Sequence, residues 1–307
     1  MHSVHRTRSA HAVAWREYDE PMAFFARVVA HGWLELVKHL EQLGGGGWAF
    51  RGQSDATWRV QTSLERALNG RAQPWAEERR ALDMFKRRVG LYGQRVDRHT
   101  TWLEASSLLR HHGGPSRLLD VSASRWVAAY FALENMNEKN GCAIWAFQPS
   151  DFAVRTTKDW SSTKTVNPPT PEEALEESIE GDERHLAGVL HVQPWSMNER
   201  VAAQQGSFLA PVNIEFGFER NLISVAADDD ETARSKHHLD DVSPLDEIAD
   251  DGRIGVSVVK ITVPNVDRVR FAGLRSLREM NITAASLYPG LDGFARSISV
   301  RINSGDA

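Results

Sequence analysis

The stretch "HHGGPSRLLDVSASRWVAAYFALE", residues 111–134, contains the boundaries of three successive elements. Gly-Gly-Pro at residues 113–115 is typical of a helix end, and it predicts that a helix over Trp102–His111 stops here. The next residues, "SRLLDV", predict a short buried strand. After Ser122, a favoured N-cap residue, apolar side chains recur at helical spacing. The stretch therefore predicts a helix, a buried strand and a second helix in direct succession.

A second short stretch, "WAFRGQ" at residues 48–53, places an arginine directly after an apolar run that predicts a strand. Arginine at such a position needs a fixed partner, so Arg51 either closes a structural ion pair or binds an anionic ligand. Gly52 lets the backbone turn or lets a ligand approach closely. The stretch therefore marks either a structural pair or a binding site.

The rest of the chain alternates helical and strand patterns. Apolar spacing predicts helices over Trp33–Leu43 and Trp75–Tyr92. Further strands are predicted in "CAIWAFQP", "GVLHVQP", "GSFLAPV" and "IGVSVVKITVP", and the last is followed by the helical "VDRVRFAGLRSLREM". Because the strands are short and scattered, we predict an α+β fold in which helices pack on a mixed sheet, rather than a doubly wound nucleotide-binding fold.

We predict a basic mobile tail over residues 1–20 and one domain over residues 21–303, with surface insertions near 149–185 and 224–252. The later insertion is rich in Asp and Glu and has no periodic apolar pattern. The domain is expected to close with "LYPGLDGFARSISV".

Composition excludes several classes of protein. The 307 residues carry a net charge of −5, so the chain does not coat nucleic acid by bulk charge. No segment approaches the roughly 18–20 apolar residues of a membrane span. One cysteine, Cys142, excludes an internal disulfide framework and a multi-cysteine zinc site, which favours a reducing cytoplasm. A P-loop, GxGxxG, GxSxG and HExxH are all missing, so nucleotide triphosphatase, dehydrogenase, hydrolase and zinc-protease functions have no support.

Four short stretches place polar residues where packing alone does not require them. They are "FRGQ" at 50–53, "RHHGGPSRLLDVS" at 110–122, "NERVAAQQGSF" at 198–208 and "LYPGLDGFA" at 287–295. Together they resemble the FRG-domain family, named for an aromatic–Arg–Gly motif that stands here as Phe50–Arg51–Gly52. The resemblance spans about residues 33–300 in four ordered blocks.

The other three blocks match the family's patterns residue by residue. Gly-x-Pro-Thr-Arg-Leu-Leu-Asp-x-Thr is present with serine in place of threonine at Ser116 and Ser122. The terminal Pro-x-Leu-Asp-Gly-x-Ala pattern matches Pro289–Ala295, although no chemistry is assigned there to Tyr288 or Asp292. The pattern Arg-x-x-x-Gln-x-Gly-x-Phe matches Arg200, Gln204, Gly206 and Phe208.

FRG domains often occur in prophage-like and defence-associated contexts, and their layout is similar to that of distant ADP-ribosyltransferase folds. Those folds begin with a strand bearing Arg or His before Gly, continue with a strand carrying a hydroxyl residue and a helix behind it, and place an acid on a later strand. Arg51 fits the first position and Ser122 the second. At the third, "AAQQG" supplies glutamines where a transferase usually has Glu.

The resemblance thus implies an enzyme that splits the nicotinamide–ribose bond of NAD and passes ADP-ribose to a macromolecule, protein or nucleic acid, as a toxin or antiphage-defence effector. No metal and no membrane partner are expected. The candidate catalytic residues are Arg51, His111, His112 and Gln205. The candidate NAD-binding residues are Arg51, Gly52, Gln53, Arg117, Ser122, Arg200 and Gln204.

Each candidate also has a structural interpretation. The two histidines lie at a predicted helix C-terminus, where a positive charge interacts favourably with the helix dipole. Arg117 and Asp120 can pair with each other, or Asp120 can cap the following helix, and Ser122 can serve as that cap.

Two other functions stay open at the level of sequence. The arginine-rich helix at 79–98, with the histidine pair, is compatible with a module that binds or cuts nucleic acid. The glutamines at the position of the expected acid are compatible with a sensor that binds a nucleotide-like ligand without consuming it.

Overall fold

The computed structural model describes residues 25–43, 47–94, 96, 99–153, 156, 169–180, 186–196, 198–226, 257–266 and 268–303. The tail predicted over residues 1–20 and most of the two predicted insertions lie outside these residues.

The described strands form one seven-stranded sheet of order β1-β7-β4-β2-β3-β6-β5. Only β1 and β7 pair in parallel, and every other neighbouring pair is antiparallel. The predicted mixed sheet of short strands is therefore confirmed. The strands are β1 (Ala26–Val29), β2 (Ala49–Gln53), β3 (Leu119–Ser122), β4 (Cys142–Phe147), β5 (Val189–Val192), β6 (Gly206–Pro211) and β7 (Val258–Val263).

Helices pack on both faces of the sheet, so the predicted α+β class is also confirmed. The helices are α1 (Trp33–Gln42), α2 (Ser63–Leu68), α3 (Pro74–Arg88), α4 (Trp102–His111), α5 (Arg125–Glu134), α6 (Pro171–Glu180), α7 (Glu199–Ala203), α8 (Phe218–Ala226), α9 (Val269–Glu279), α10 (Ala284–Leu287) and α11 (Leu291–Asn303). A 3-10 turn over Val89–Tyr92 continues α3. In the part of the chain that the structure describes, no helix has both the length and the apolar character needed to cross a bilayer.

Three apolar clusters hold these layers together. The largest joins α1, α5 and α9 to β1, β4 and β7. A second places α8 on the opposite face of the sheet. A third packs α3, α4 and α6 against β5 and β6. The polar residues of the candidate site belong to elements that these clusters fix in place.

Gly52 owes its place to the approach of α5 to β2. A Cβ atom at this position would lie 2.1 Å from the carbonyl oxygen of Ala128 and 2.6 Å from the backbone nitrogen of Ala132. Only glycine permits this contact. Gly52 lies within β2 rather than in a turn, so close helix packing explains it.

The predicted N-cap of α5 is wrong by two residues. Ser124 is the N-cap, and its hydroxyl accepts a hydrogen bond from the backbone N–H of Val127. Ser122 ends β3 instead, with its hydroxyl accepting from the backbone N–H of Ser124 at 3.0 Å. Both serines suit a cap by residue type, and β3 extends one residue further than the pattern indicates.

Candidate functional site

The sheet opens between β2 and β3. These strands share a single residue pair, Phe50 with Ser122, whereas β2 pairs with β4 over five positions. Across the opening, Nη1 of Arg51 donates a hydrogen bond of 2.7 Å to the backbone carbonyl of Asp120. The same nitrogen lies 3.8 Å from Oδ2 of the Asp120 carboxylate. Across the opening between β2 and β3, the Arg51 side chain thus makes a hydrogen bond of the kind that a paired strand would otherwise make.

Arg51 is held in a largely dry environment. Its side chain is 19 % exposed. Burial lowers the pKa of its guanidinium to about 10, although the charge of Asp120 acts in the opposite direction. Its Nε atom is buried and has no hydrogen-bond partner among the described residues. Arg51 therefore has a donor, Nε, to which no described residue offers an acceptor.

Asp120 is the carboxylate at the centre of this region. Its Oδ2 accepts hydrogen bonds from Nε of Arg110 at 3.1 Å and from Nη2 at 2.5 Å. Burial alone would raise the pKa of Asp120, but the charges of Arg110 and Arg51 outweigh burial, and the pKa lies below its ordinary value. The side chain is 46 % exposed, and no described residue donates to its Oδ1. Asp120 is therefore ionised at neutral pH, with one oxygen available.

Arg200, in the first turn of α7, completes the positive surroundings. Its charge contributes to the low pKa of Asp120. Its guanidinium lies over the ring of Tyr288 at 4.6 Å and makes no hydrogen bond to a described side chain or carbonyl. We call Arg51, Arg110, Arg200 and Asp120 the arginine cluster. Three positive charges against one negative charge favour the binding of an anion.

Tyr288 orients this cluster from one side. Arg296 also lies over its ring, at 4.4 Å, and is fixed by two hydrogen bonds to the buried carboxylate of Glu134. Gly293 accounts for the glycine of the terminal motif, since a Cβ there would lie 1.7 Å from the carbonyl oxygen of Tyr288. The terminal motif thus sets the position of Tyr288 and, through its ring, of Arg200.

The histidine pair ends α4 next to the arginine cluster. The rings of His111 and His112 meet edge to face, with centroids 4.9 Å apart. Burial, His112 and the charge of Arg200 together lower the pKa of His111. A neutral imidazole can accept a proton near pH 7. His111 thus lies close enough to Arg200 for the arginine charge to affect its pKa.

Two predicted NAD-binding residues lie away from the cluster. Arg117 is fully buried and pairs with the carboxylate of Glu78, so the pair with Asp120 that the sequence left open is not formed. Gln53 is buried, and its amide donates to the carbonyl of Arg59 and accepts from the indole N–H of Trp145. Both side chains hold the core together, and both have their polar groups occupied.

Two candidate residues, Ser122 and Gln204, connect β3, the end of α7 and α10. The Ser122 hydroxyl donates to the backbone carbonyl of Gln204 at 2.7 Å. The Gln204 side chain donates to the carbonyl of Leu287 at 3.0 Å, which ties α7 to α10. Gln205 adopts a left-handed conformation with φ of 47° and faces a different cavity. Ser122 and Gln204 therefore have structural partners already.

The cavity beside Gln205 is a cleft of about 430 Å³ at the start of β2 and of α5, which we call the aromatic cleft. It lies next to the candidate residues Ser122 and Gln205, but Arg51 does not line it. Its lining residues are Leu43, Gly47, Trp48, Phe50, Ala123, Ser124, Arg125, Trp126 and Gln205.

Further observations bear on the metal and nucleic-acid interpretations. The described residues contain no group of three or more His, Cys, Asp or Glu that could hold a metal ion. The arginine-rich surface of α3 carries a groove of about 310 Å³ whose lining includes Asp83 and Met84 beside Arg80. Arg80 also pairs with Glu77, at 3.4 Å. Acidic neighbours thus reduce the positive charge of this surface.

Arg110 is a site residue that the sequence reasoning did not select. It lies at the end of α4, directly before the histidine pair. Its partner Asp120 lies ten residues later in β3. The helix end, the Gly-Gly-Pro segment and the strand together fold the chain back and bring the two side chains into contact.

Comparison with known families gives a match that covers part of this region. Residues 46–141 match the family model of the FRG domain. Comparisons with curated proteins and with solved structures found no match. The matched range includes Arg51, Arg110 and Asp120, while Arg200 and Tyr288 lie beyond it. Over residues 46–141 the chain is thus similar to the FRG domain.

Proposed function

We propose that this protein binds NAD with its diphosphate at the arginine cluster and transfers ADP-ribose to a macromolecular acceptor. The observation that carries the proposal is the convergence of three arginines and one ionised carboxylate on the opening between β2 and β3. Planar guanidinium groups match phosphate oxygens with two parallel donors. A diphosphate carries negative charge that complements the excess positive charge of the cluster.

Asp120 supplies the negative charge that the transfer reaction needs. When the bond from ribose C1′ to nicotinamide breaks, nicotinamide leaves with the bonding electrons, and positive charge develops on the ribose. An ionised carboxylate in a partly desolvated site stabilises that charge. Because Arg110 occupies Oδ2, the open Oδ1 of Asp120 is the atom that faces the ribose. This role requires no acid at Gln205.

His111 is proposed as the base that completes the transfer. The acceptor nucleophile forms the new bond to C1′ and gives up a proton, which the neutral imidazole accepts. The low pKa of His111, caused by burial, His112 and Arg200, keeps it unprotonated near neutral pH.

The order of the strands also supports the proposal. Phe50 pairs with Ser122, and Ser122 pairs with Gly206, so β2, β3 and β6 are neighbours in that order. An ADP-ribosyltransferase-like core would need its arginine strand, its hydroxyl strand and its later strand side by side in this way. We place this activity in a toxin or antiphage-defence effector of a reducing cytoplasm, a setting compatible with the buried free thiol of Cys142.

The test is incubation of the purified protein with cell extract and NAD labelled in its adenylate part. We expect label on a macromolecule and release of free nicotinamide. The variant Asp120→Asn should lose both, while Arg87→Lys on the exposed face of α3 should lose neither. A folded wild-type protein that produces no labelled acceptor and no nicotinamide would refute the transferase proposal.

A second candidate function is ligand sensing without turnover. The Ser122 hydroxyl favours this function, because it already donates one hydrogen bond and accepts another. Gln205 favours it as well, because its side chain is a neutral amide rather than an acid. Under this function NAD raises the melting temperature and is recovered intact. The same incubation, analysed for unconsumed NAD, separates sensing from transfer.

A further inference from the structure

The aromatic cleft is an open depression lined by aromatic side chains. Its volume of about 430 Å³ lies within the usual range for ligand pockets, about 300–1,000 Å³. Trp48 and Trp126 line it with half-buried indoles, and Phe50 is buried beside them. Trp126 is held in place by Trp33, with ring centroids 6.3 Å apart. The indole of Trp48 offers a surface on which a flat ring can stack.

Arg125 adds a positive charge to this aromatic surface. Its guanidinium carbon lies 5.2 Å from the ring centroid of Trp126. Its Nε atom is buried, and no acceptor for it exists within the described ranges of the chain. A buried donor that lacks a partner costs free energy unless a ligand or water satisfies it. Arg125 is thus suited to an anionic ligand.

Backbone donors in the cleft point to the same chemistry. Ser124 caps α5 and satisfies the N–H of Val127. The N–H groups of Arg125 and Trp126, in the same first turn, have no acceptor among the residues that the structure describes. Free N–H groups at a helix N-terminus bind phosphate well, and here they accompany an arginine.

Gln205 adds a neutral amide to the lining of the cleft. Its φ of 47° is unusual for a residue with a side chain. The conformation is fixed because its carbonyl accepts from the N–H of Ala123 at 2.9 Å and its N–H donates to the carbonyl of Ala202 at 3.0 Å. Strained backbone of this kind is concentrated at binding sites. An amide can donate to and accept from the edge of a nucleobase.

We propose that the aromatic cleft binds a mononucleotide. The base stacks on the indole of Trp48, and the phosphate lies at the start of α5 beside Arg125, whose guanidinium lies over the ring of Trp126. This site is separate from the arginine cluster, and it does not depend on the transfer reaction proposed above.

Titration of the full chain with AMP, GMP, CMP and UMP, followed by tryptophan fluorescence and calorimetry, tests the proposal. Adenosine and inorganic phosphate are the matched partial ligands. Because binding uses both stacking and charge, at least one nucleotide should bind at least about tenfold more tightly than either partial ligand. No nucleotide binding at millimolar concentration, or equal binding of inorganic phosphate, would overturn the proposal.

Variants assign the binding to this cleft. Arg125→Gln should weaken nucleotide binding by about ten- to a hundredfold and leave adenosine binding nearly unchanged. Trp48→Leu should weaken both. Trp58→Leu replaces a tryptophan outside the cleft that is 55 % exposed, and it should change neither. If Arg51→Lys abolishes nucleotide binding while Arg125→Gln does not, the nucleotide binds at the arginine cluster and the proposal is wrong.

Discussion

Replacement of Arg51 by lysine separates its structural role from its proposed role in binding. The variant keeps the positive charge but loses the planar donor set that reaches the carbonyl of Asp120 at 2.7 Å. A hydrogen bond with a charged donor contributes about 1.5–3 kcal/mol to stability. Asp120 keeps both hydrogen bonds from Arg110, so no uncompensated charge is created.

The expected loss of stability is therefore about 2 kcal/mol, or roughly 4–8 °C in the melting temperature of a domain of this size. The expected loss of function is larger. Removal of a bidentate contact to a phosphate weakens transition-state stabilisation by about 2–4 kcal/mol, which is roughly thirty- to a thousandfold in rate. The two effects differ enough to be measured on one sample.

The assays are thermal melting and label transfer from NAD at 20 °C, which lies below the expected melting point of the variant. Arg66→Lys is the matched control, because Arg66 also donates to a backbone carbonyl, that of Gln61 at 2.9 Å, on an exposed surface. An Arg51→Lys variant that melts earlier but transfers label at the wild-type rate would refute the site assignment. A variant that melts like the wild type would refute the role of Arg51 in bridging the two strands.

Three further predictions concern the surroundings of the cluster. Gly52→Ala should lower the free energy of unfolding by about 3 kcal/mol in denaturant, because the new Cβ would overlap Ala128. The control Gly32→Ala has nothing within 4 Å of its new Cβ and should cost less than about 1 kcal/mol. Glu78→Gln should cost about 3–5 kcal/mol because it leaves the buried Arg117 without its charge partner, and the folded fraction should retain transfer activity. Because folding lowers the pKa of Asp120, the wild type should be more stable than Asp120→Asn above about pH 4. That advantage should disappear as the pH falls through the lowered pKa, and an advantage that grows in acid would contradict the assigned ion pairs.

Local elements were predictable from the sequence because their signals lie within a few residues of each other. The helix over Trp102–His111 and the strand before α5 follow from the Gly-Gly-Pro segment and the apolar spacing, and the structure has both. The sequence does not indicate the edge strand β1, because its four residues, "ARVV", give too short a pattern. Its pairing with β7 joins residues more than two hundred positions apart.

The partners of the arginines were not predictable for the same reason. Arg110 and Arg117 lie seven residues apart on either side of the Gly-Gly-Pro segment, and Asp120 follows both within ten residues. In the structure Asp120 pairs with Arg110, and Arg117 pairs with Glu78, which lies 39 residues away in α3. No local pattern distinguishes the two, because the choice depends on how α3 packs against the sheet.

The three residues of the aromatic–Arg–Gly motif have different structural roles, and all three affect the region around the arginine cluster. Phe50 joins the core, and Arg51 bridges the opening between β2 and β3. Gly52 lets α5 lie directly on β2. The last residue of α5 is Glu134, whose carboxylate fixes Arg296 against the ring of Tyr288.

The opposite contact of that ring is made by Arg200, which belongs to the arginine cluster. A change at Gly52 that displaces α5 therefore reaches Arg200 through Glu134, Arg296 and Tyr288. This chain of contacts connects the motif at residues 50–52 with the terminal motif at residues 289–295. The first sets how closely α5 approaches the sheet, and the second sets the ring against which two arginines are held.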